Sequence, residues 1–164
     1  MAKRSDKHGS PPTPPEGEER PFWERKSLKQ MTTKEWESLC DGCARCCVFR
    51  LEDERTGERI GTNVCCDLLD TNSCRCTDYP RRSIKQPQCI TLTARMLTKD
   101  ASWLPGTCAY RRIAEGRGLE WWHPLVSGTT QTVIDAGITV RGRVIHEREA
   151  GDLEHHLVDG WLTD

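Results

Sequence analysis

The sequence predicts a small, irregular α+β domain that is stabilised by metal, with short helices, one β-hairpin, long loops and a disordered N-terminal arm. Three observations support this fold class. Nine of the ten cysteines lie between Cys40 and Cys89, hydrophobic residues make up only 35% of the chain, and charged residues make up 30%. A domain with so little apolar surface usually needs disulfides or a structural metal to fold.

The composition of the N-terminus favours a reducing compartment, and therefore metal ligation over disulfides. Residues 1–21 are charged and rich in proline, and they contain no apolar segment of the length that a secretory signal needs. The sequence also has no stretch of about 20 apolar residues that would span a bilayer. We therefore expect a cytoplasmic protein without a membrane partner, in which the thiols stay reduced.

The chain is expected to consist of an arm and one domain. Residues 1–21 should be the disordered arm because they cannot form a core. Phe22 and Trp23, the first large apolar residues, should dock this arm onto the domain. The metal-binding domain is assigned to residues 22–164, with a metal-ligand core at residues 40–89 and a cover of helices and strand at residues 90–164.

A short helix is predicted to lead into the first cysteines. Thr32 and Glu35 have the spacing of a capping box, in which each side chain bonds the backbone N–H of the other residue. Trp36 and Cys40 follow at helical spacing, so this helix should deliver the first thiols while Trp36 packs inward. Gly42 should end the helix.

A β-hairpin is predicted after the first cysteines. Residues 48–51 and 59–64 have the composition of strands, and they flank a polar turn at residues 53–58. The hairpin should return the chain so that Cys65 and Cys66 meet the first group of thiols.

The cover is predicted to contain short helices and one strand. Residues 92–97 and 108–114 have helical patterns, and the tryptophan-rich segment 119–125 should cover the core. Residues 138–144 alternate between apolar and polar, as in a half-exposed strand, with a kink at Gly142. A C-terminal helix should present one apolar face, formed by Leu153, Leu157, Val158 and Trp161.

The spacing of the cysteines favours metal ligation. Thiolates are strong ligands for zinc and for iron in clusters. Cys40, Cys43 and Cys46 share the C-x2-C-x2-C run that wraps a cluster in bacterial ferredoxins, but Cys47 follows at once and no proline closes the run. The alternative, ordinary buried thiols, is disfavoured because four cysteines fall within eight residues.

Adjacent and alternating cysteines lead to different expectations. Side chains that are neighbours in sequence diverge, so the pairs Cys46–Cys47 and Cys65–Cys66 indicate two nearby sites, a polynuclear cluster, or one ligand beside a buried thiol. Cys74 and Cys76 are two residues apart and would point the same way in extended backbone. Eight thiolates would fill two tetrahedral sites. One consistent pairing places Cys40, Cys43 and Cys46 with one downstream thiol, and Cys47 with Cys74, Cys76 and another.

The cysteine motifs resemble a known bacterial family. Residues 40–47, Cys-Asp-Gly-Cys-Ala-Arg-Cys-Cys, match the motif of the CxxCxxCC cysteine-cluster family, whose members are described as zinc- or iron-chelating proteins. The chain is most similar to a small branch of that family, roughly from Phe22 to the C-terminus. The likeness continues through Thr62-Asn63-Val64, Cys66, Cys74-Arg75-Cys76, Tyr79, Arg82, Cys89, Trp103-Leu104-Pro105, Thr107-Cys108-Ala109-Tyr110 and Trp122-His123-Pro124-Leu125.

The resemblance implies metal binding and supplies no activity. The branch has a residue such as alanine at the position of Cys65, which implies that Cys65 is not a ligand. Cys108 is equally compatible with a ligand and with a core thiol. A flagellin lysine methylase among the relatives has a similar cysteine motif and raises the iron–sulfur option, although no glycine-rich cofactor loop is apparent here. The predicted metal ligands are Cys40, Cys43, Cys46, Cys47, Cys66, Cys74, Cys76 and Cys89.

Histidines and basic residues give weaker signals. His123 could be a metal ligand or a general base, but a histidine fixed between aromatic rings is favoured. Arg81, Arg82 and Lys85, near Tyr79, form a basic patch that could contact phosphate or simply balance thiolate charge. Arg45, Arg75 and Arg82 are placed in sequence to offset the charge of a thiolate-bound metal. The remaining histidines of the cover, His146, His155 and His156, are expected to face solvent.

The sequence contains no evident catalytic constellation, so no catalytic residue is assigned. Three functions remain open. The first is a cytoplasmic metal-binding protein that holds zinc or iron, or an iron–sulfur cluster, and acts through a protein partner. The second is an iron–sulfur redox protein or enzyme accessory. The third, a zinc-stabilised nucleic-acid-binding or regulatory module, is least favoured because the net charge is -1.

Overall fold

The structure, a computed structural model, describes residues 20–160. Residues 1–19 of the predicted arm and Trp161 of the predicted C-terminal helix lie outside the described residues. Short helices and two small sheets confirm the mixed α+β class. Between residues 20 and 160, no helix is both long enough and apolar enough to cross a membrane.

The helices are short and are joined by loops and 3-10 turns. The α-helices are α1 (Phe22–Arg25), α2 (Thr33–Ser38), α3 (Arg82–Lys85), α4 (Ala94–Lys99), α5 (Ala109–Ala114), α6 (Pro124–Ser127), α7 (Gln131–Asp135) and α8 (Glu147–Ala150). The 3-10 turns cover Leu28–Gln30, Arg45–Cys47, Tyr79–Arg81 and Leu153–His156.

The strands are β1 (Val48–Glu52), β2 (Arg59–Cys65), β3 (Leu69–Asp70), β4 (Arg75–Cys76), β5 (Ile145–His146) and β6 (Leu157–Val158). The main sheet is built around one central strand, β2. The strand β1 pairs with it antiparallel, and on the opposite edge β2 meets β5, which is parallel, and β6, which is antiparallel. A second sheet joins β3 and β4 antiparallel.

The strands β1 and β2 form the predicted hairpin, with Val48 opposite Cys65. The turn is fixed by the carboxylate of Asp53, which accepts two backbone N–H bonds at 2.9 and 2.8 Å. At the other end of the hairpin, the N–H of Cys66 donates to the carbonyl of Cys47 at 2.9 Å. The hairpin therefore returns the second cysteine pair to the first, as the sequence predicts.

The helix α2 begins with the predicted capping box. The hydroxyl of Thr32 accepts the N–H of Glu35 at 3.3 Å, and the carboxylate of Glu35 accepts the N–H of Thr32 at 2.8 Å. The predicted extent of this helix is wrong, because it ends at Ser38 and Cys40 lies in the following loop. In that loop Gly42 has a φ of +75°. Glycine adopts this left-handed conformation without steric cost, so the chain can turn sharply between the cysteines.

The segment Cys40–Cys47 is here called the first cysteine motif, and three apolar clusters surround it. The second cluster contains Ala44 and the third contains Cys43, both within the motif, and the largest contains Leu39, the residue immediately before it. Phe22 and Trp23 pack against the largest cluster, as expected for docking of the N-terminal segment. The buried members of the largest cluster are Leu28, Leu39, Leu97, Ala101, Leu104, Ala109 and Tyr110.

The two predicted helices of the cover are confirmed as α4 and α5. The segment 119–125 covers the core only in part. Leu119 and Leu125 pack against the largest cluster, and Trp122 packs against the third. Trp121, by contrast, is 60% exposed. The expectation that Trp121 covers the core is therefore wrong.

Two other elements of the C-terminal half differ from the prediction. Residues 138–144 do not form a strand, although Val140 is fully buried, because Gly142 turns the chain with a φ of +69° and pairing begins only at Ile145. Residues 153–158 do not form a helix, since a 3-10 turn leads directly into β6. Val140 and Val158 of these segments pack in the second apolar cluster, and residues 157–158 pair with β2.

Candidate metal centre

The first cysteine motif is held in place by hydrogen bonds from distant parts of the chain. The ring of His123 bonds the carbonyl of Leu39 at 3.0 Å, and the N–H of Val140 donates to the carbonyl of Cys43 at 3.0 Å. Within the motif, Ala44 has a φ of +61°, which is uncommon for a residue with a Cβ. The conformation of the loop is thus imposed by its surroundings rather than by local preference.

Several thiols accept hydrogen bonds from the backbone N–H two residues later. Such bonds favour the thiolate form of a cysteine, and hydrogen bonds to sulfur are a common feature of thiolate metal sites. They place the sulfur atoms close to the turn of the backbone that follows each cysteine. The pairs are Cys40 with Gly42, Cys43 with Arg45, Cys66 with Leu68 and Cys108 with Tyr110.

Three thiols of the motif, those of Cys40, Cys43 and Cys46, have a pKa above the ordinary value. Cys43 is a buried residue, whereas Cys40 and Cys46 are exposed residues. Burial of its thiol raises the pKa of Cys40 to about 11, and repulsion from Cys46 adds to the rise. Burial, followed by repulsion from Asp41 and Cys46, raises the pKa of Cys43 well above 9.0. The pKa of Cys46 is raised first by its hydrogen bond to the thiol of Cys47 and then by burial. A metal that binds these thiols must therefore displace their protons.

Cys46 affects the pKa of thiols from two different parts of the chain. After burial, repulsion from Cys46 helps to raise the pKa of four other thiols, from both the motif and the later chain. These four are Cys40, Cys43, Cys89 and Cys108. Cys76 has a similar effect on Cys66 and Cys89, so a second group adjoins the first.

Across residues 20–160, no three cysteine, histidine, aspartate or glutamate side chains converge closely enough to hold a metal ion. The chemistry of the donors nevertheless suits zinc or iron, which both prefer thiolates arranged in fours. To bind a metal ion, the thiols of Cys40, Cys43 and Cys46 would have to move closer to one another.

Comparison with known proteins identifies the family. The profile of the CxxCxxCC family, described as a "putative zinc- or iron-chelating domain", matches residues 39–109. A UPF0260 protein of Gluconacetobacter diazotrophicus is 57% identical over 139 residues, which cover 85% of this chain and 86% of the relative. The chain belongs to the CxxCxxCC family. A UPF0260 protein of Rhizorhabdus wittichii is 56% identical over 144 residues, which cover 88% of this chain and 98% of the relative. No solved structure matches the chain.

Two cysteines of this CxxCxxCC protein lie in the second apolar cluster. Cys65 is fully buried and Cys74 is 7% exposed, and both pack there with Val140. The backbone at Cys74 is not extended, the condition under which Cys74 and Cys76 would point the same way, because this residue has a φ of +56° in the turn before β4. The turn directs Cys74 into the cluster, while Cys76 is half-buried on β4. The surroundings of Cys65 and Cys74 are typical of core thiols.

The structure adds a residue that the sequence did not single out, Asp41 of the first cysteine motif. Its side chain is 7% exposed, and one carboxylate oxygen accepts the N–H of Cys43 at 3.0 Å. Repulsion from this carboxylate contributes to the raised pKa of Cys40, Cys43, Cys46 and Cys108. The sequence signal that could have identified Asp41 as part of the site was its position between Cys40 and Cys43 in the Cys-Asp-Gly-Cys turn. A buried carboxylate among thiols makes the motif strongly favourable for a cation.

His123 is a structural residue. It is 2% exposed, its Nδ1 accepts the N–H of Leu125 at 3.1 Å, and its Nε2 bonds the carbonyl of Leu39. Both ring nitrogens are therefore engaged. This supports the interpretation of His123 as a fixed histidine, although the fixing groups are backbone atoms rather than aromatic rings.

The expectation for the other histidines is right at one position and wrong at two. His155 is exposed, as expected. His146 is half-buried and bonds the carbonyl of Leu69 at 2.8 Å, and His156 is half-buried and bonds the carbonyl of Ala150 at 2.8 Å. His146 lies on β5 and His156 immediately precedes β6, and both of these strands pair with β2.

Two of the three cations of the basic patch share one carboxylate. Arg81 and Lys85 both bond the carboxylate of Asp78, at 2.8 and 2.5 Å. The guanidinium of Arg82 lies 3.8 Å from the centre of the Tyr79 ring. The single carboxylate offsets one of the three positive charges, so the patch keeps a net positive charge while these contacts hold its side chains in place.

Two of the three arginines assigned to charge balance lie near thiols. Arg75 opposes the burial-driven rise in the pKa of Cys40, and Arg82 opposes that of Cys89 and hydrogen-bonds its thiol. Arg45 is buried, and its Nε donates to the carbonyl of Ile138 at 2.9 Å. Arg45 therefore holds the motif to the third apolar cluster.

Proposed function

We propose that this protein chelates zinc or iron in the cytoplasm through the thiolates of the first cysteine motif and the thiols around it. The observation that carries the proposal is the presence of four cysteines within eight residues around Asp41, which is buried and whose carboxylate accepts the N–H of Cys43. Thiols gathered beside a buried carboxylate repel one another as soon as they ionise. A bound cation would attract each thiolate and so offset the repulsion among them.

The residues around the thiols suit a thiolate-bound metal. Four thiolates around a divalent ion leave two net negative charges. The guanidinium groups of Arg75 and Arg82 act on Cys40 and Cys89 and would offset that charge. Backbone N–H groups bonded to Cys40 and Cys43 would stabilise their thiolates. The metal would stabilise the loop that joins the three apolar clusters.

Zinc and iron would serve different purposes at this site. Zinc bound by four thiolates has no open position and supports structure, whereas an iron–sulfur cluster also transfers electrons. The run Cys40, Cys43, Cys46 favours a cluster, and the immediately following Cys47 departs from the ferredoxin pattern. An iron–sulfur redox protein or enzyme accessory is accordingly the second candidate function, and a protein partner is proposed for both.

Anaerobic purification followed by metal analysis, sulfide analysis and visible spectroscopy tests the proposal. Stoichiometric zinc without visible absorption would establish the structural role, and iron with bound sulfide and charge-transfer bands would establish the cluster. Cys46→Ser should lose the metal, whereas Cys65→Ala, the matched control in the second apolar cluster, should keep it. Full-length protein that binds neither zinc nor iron under reducing conditions would refute chelation.

A nucleic-acid-binding role is the least favoured alternative. It would require a strongly salt-dependent affinity for DNA or RNA that is lost when Arg81 and Arg82 are changed to alanine. The pairing of Arg81 and Lys85 with Asp78 supports the view that these residues stabilise a loop.

A further inference from the structure

The helix α3 is fixed to the rest of the protein along one side. Arg82 and Gln86 are four residues apart and so lie on the same side of this helix. The guanidinium of Arg82 lies over the ring of Tyr79 and donates to the Tyr79 carbonyl at 2.7 Å. The side-chain amide of Gln86 donates to the carboxylate of Glu147 at 2.7 Å. These contacts determine which side of the helix faces away from the protein.

The opposite side of α3 presents two cations with an apolar residue beside them. It consists of Arg81, immediately before the helix, with Ile84 and Lys85, and is here called the α3 surface. Residues three and four apart are neighbours on a helix, so these three side chains share one side. The side chains of Arg81 and Lys85 are 66% and 46% exposed. Ile84 is 79% exposed, more than any other large apolar residue between residues 20 and 160.

The two cations of the α3 surface are held in place by one carboxylate. Arg81 binds Asp78 through two nitrogen atoms, Nε at 3.2 Å and Nη2 at 2.8 Å, and Lys85 binds the same carboxylate at 2.5 Å. Asp78 offsets one of the two charges, so the surface keeps a net positive charge. Because these side chains are already ordered, they lose little conformational freedom when they bind another group. The contacts with Asp78 therefore prepare the surface for a negatively charged partner.

Further exposed apolar residues lie in the same segment of the chain. Tyr79 is 47% exposed and Ile90 is 51% exposed. Together with Ile84, they are three of the seven large apolar residues that are exposed between residues 20 and 160. Single exposed apolar residues are common on protein surfaces, whereas several together indicate an interaction site. Tyrosine and arginine are also enriched at protein–protein interfaces.

The same segment lies beside the candidate metal centre. The hydroxyl of Tyr79 donates to the carboxylate of Glu37 at 3.0 Å. Glu37 lies in α2, three residues before Cys40, and Cys40 is an exposed residue. A partner that covers the α3 surface and Tyr79 would therefore lie near the first thiol of the motif.

We propose that the α3 surface binds a protein partner through an acidic segment that contains a large apolar side chain. The carboxylates of that segment would pair with Arg81 and Lys85, and its apolar side chain would cover Ile84. A nucleic acid fits this surface less well, because a phosphate backbone would leave Ile84 without an apolar contact and the net charge of the chain is -1. The assignment rests on the proposed function, which includes a protein partner, and specifies the surface and the chemistry of that partner.

Selection from a library of random displayed peptides tests the assignment on the full-length protein, purified anaerobically. The enriched peptides should combine several acidic residues with a large apolar residue, and their binding should weaken as salt is added. A selected peptide should bind about fivefold or more weakly to Ile84→Ser and to the double variant Arg81→Gln, Lys85→Gln, the effect expected of interface anchors. The matched control is Arg95→Gln, Lys99→Gln, which removes the same charge from exposed positions of α4 and should bind like the wild type.

Photo-crosslinking of the wild type gives a second readout that does not depend on the folding of a variant. A benzophenone replaces the apolar residue of the selected peptide, and the cross-link should map to residues 79–90. The assignment would be overturned if no peptide or only non-acidic peptides were enriched, if the variants bound like the wild type, or if the cross-link mapped elsewhere. Duplex DNA that binds the wild type and not Arg81→Gln, Lys85→Gln would overturn it in favour of a nucleic acid. Metal analysis of the same preparation reports separately on the proposed function, because peptide selection does not detect metal.

Discussion

The Nε2 atom of His123 lies 3.0 Å from the carbonyl oxygen of Leu39, the residue immediately before the first cysteine. Because Nδ1 of the same ring accepts the N–H of Leu125 at 3.1 Å, the proton is on Nε2, which donates to Leu39. The bond is buried and spans 84 residues of sequence. A neutral imidazole thus connects the start of the cysteine motif to the N-terminus of α6.

Replacement of His123 by alanine should destabilise the protein without removing a ligand. The carbonyl of Leu39 would be left buried without a donor, which costs about 1–3 kcal/mol. Urea unfolding of the metal-loaded protein measures this loss, with His155→Ala at an exposed position as the control. Loss of metal from a His123→Ala protein that is still folded would identify the ring as a ligand and contradict the structural role.

Cys43→Ala and Cys46→Ala should unfold the domain, whereas Cys65→Ala should not. Structural zinc contributes an apparent ~10–16 kcal/mol in small thiolate domains, which is more than a lean core can replace. Cys65 packs in the second apolar cluster, so its replacement should cost about 1 kcal/mol, as for a typical substitution. Circular dichroism melting and metal analysis of the three variants test this ranking. Identical melting curves would refute it, as would an unchanged melting temperature after complete metal removal.

Metal affinity should rise with pH. Burial holds the pKa of Cys40 at about 11 and that of Cys43 well above 9.0, so both thiols are protonated at neutral pH. Each thiolate ligand then releases one proton on binding, and the apparent affinity should increase about tenfold per pH unit for each of them. Chelator competition at several pH values, with proton release followed in weak buffer, measures the slope. An affinity that does not change with pH would show that the ligands are not these thiols.

The capping box of α2 should make stability depend on pH in the acid range. The pKa of Glu35 is lowered to about 2, first by its hydrogen bond to Lys26 and then by the N–H of Thr32. Because the folded-state pKa lies below the unfolded value of about 4.3, the carboxylate stabilises the protein above about pH 4. This contribution is lost as the pH falls towards about 2.

Glu35→Gln tests this contribution because it removes the charge and keeps the shape of the side chain. The variant should be less stable than the wild type at pH 6, and the difference should shrink as the pH is lowered. Glu54→Gln, in the turn of the hairpin, is the control. A difference between wild type and Glu35→Gln that is the same at every pH would show that charge is not the cause.

Local patterns predicted local structure well. The pair Thr32 and Glu35 forms its capping box because the interaction spans three residues and needs no distant partner. The alternation around Val140 predicted the burial of Ile138 and Val140 correctly, but Thr139, on the polar side of the pattern, is also buried. It predicted the strand wrongly because a strand needs an available partner. The left-handed backbone of Cys74 gave no sequence signal, since non-glycine residues rarely adopt it.

The sequence by itself determined the donors of this protein: a dense set of thiols, in a motif that identifies a metal-chelating family. Only the tertiary structure decided which thiols meet, because spacing along the chain fixes neighbours over a few residues and packing fixes the rest. The hydroxyl of Tyr110 donates to the carbonyl of Trp36 and so holds α5 against α2, the helix that precedes the motif. The turn at Cys74 buries its thiol in an apolar cluster. Both outcomes depend on side-chain packing between segments that are distant in sequence. The spacing of the cysteines carries no information about such packing.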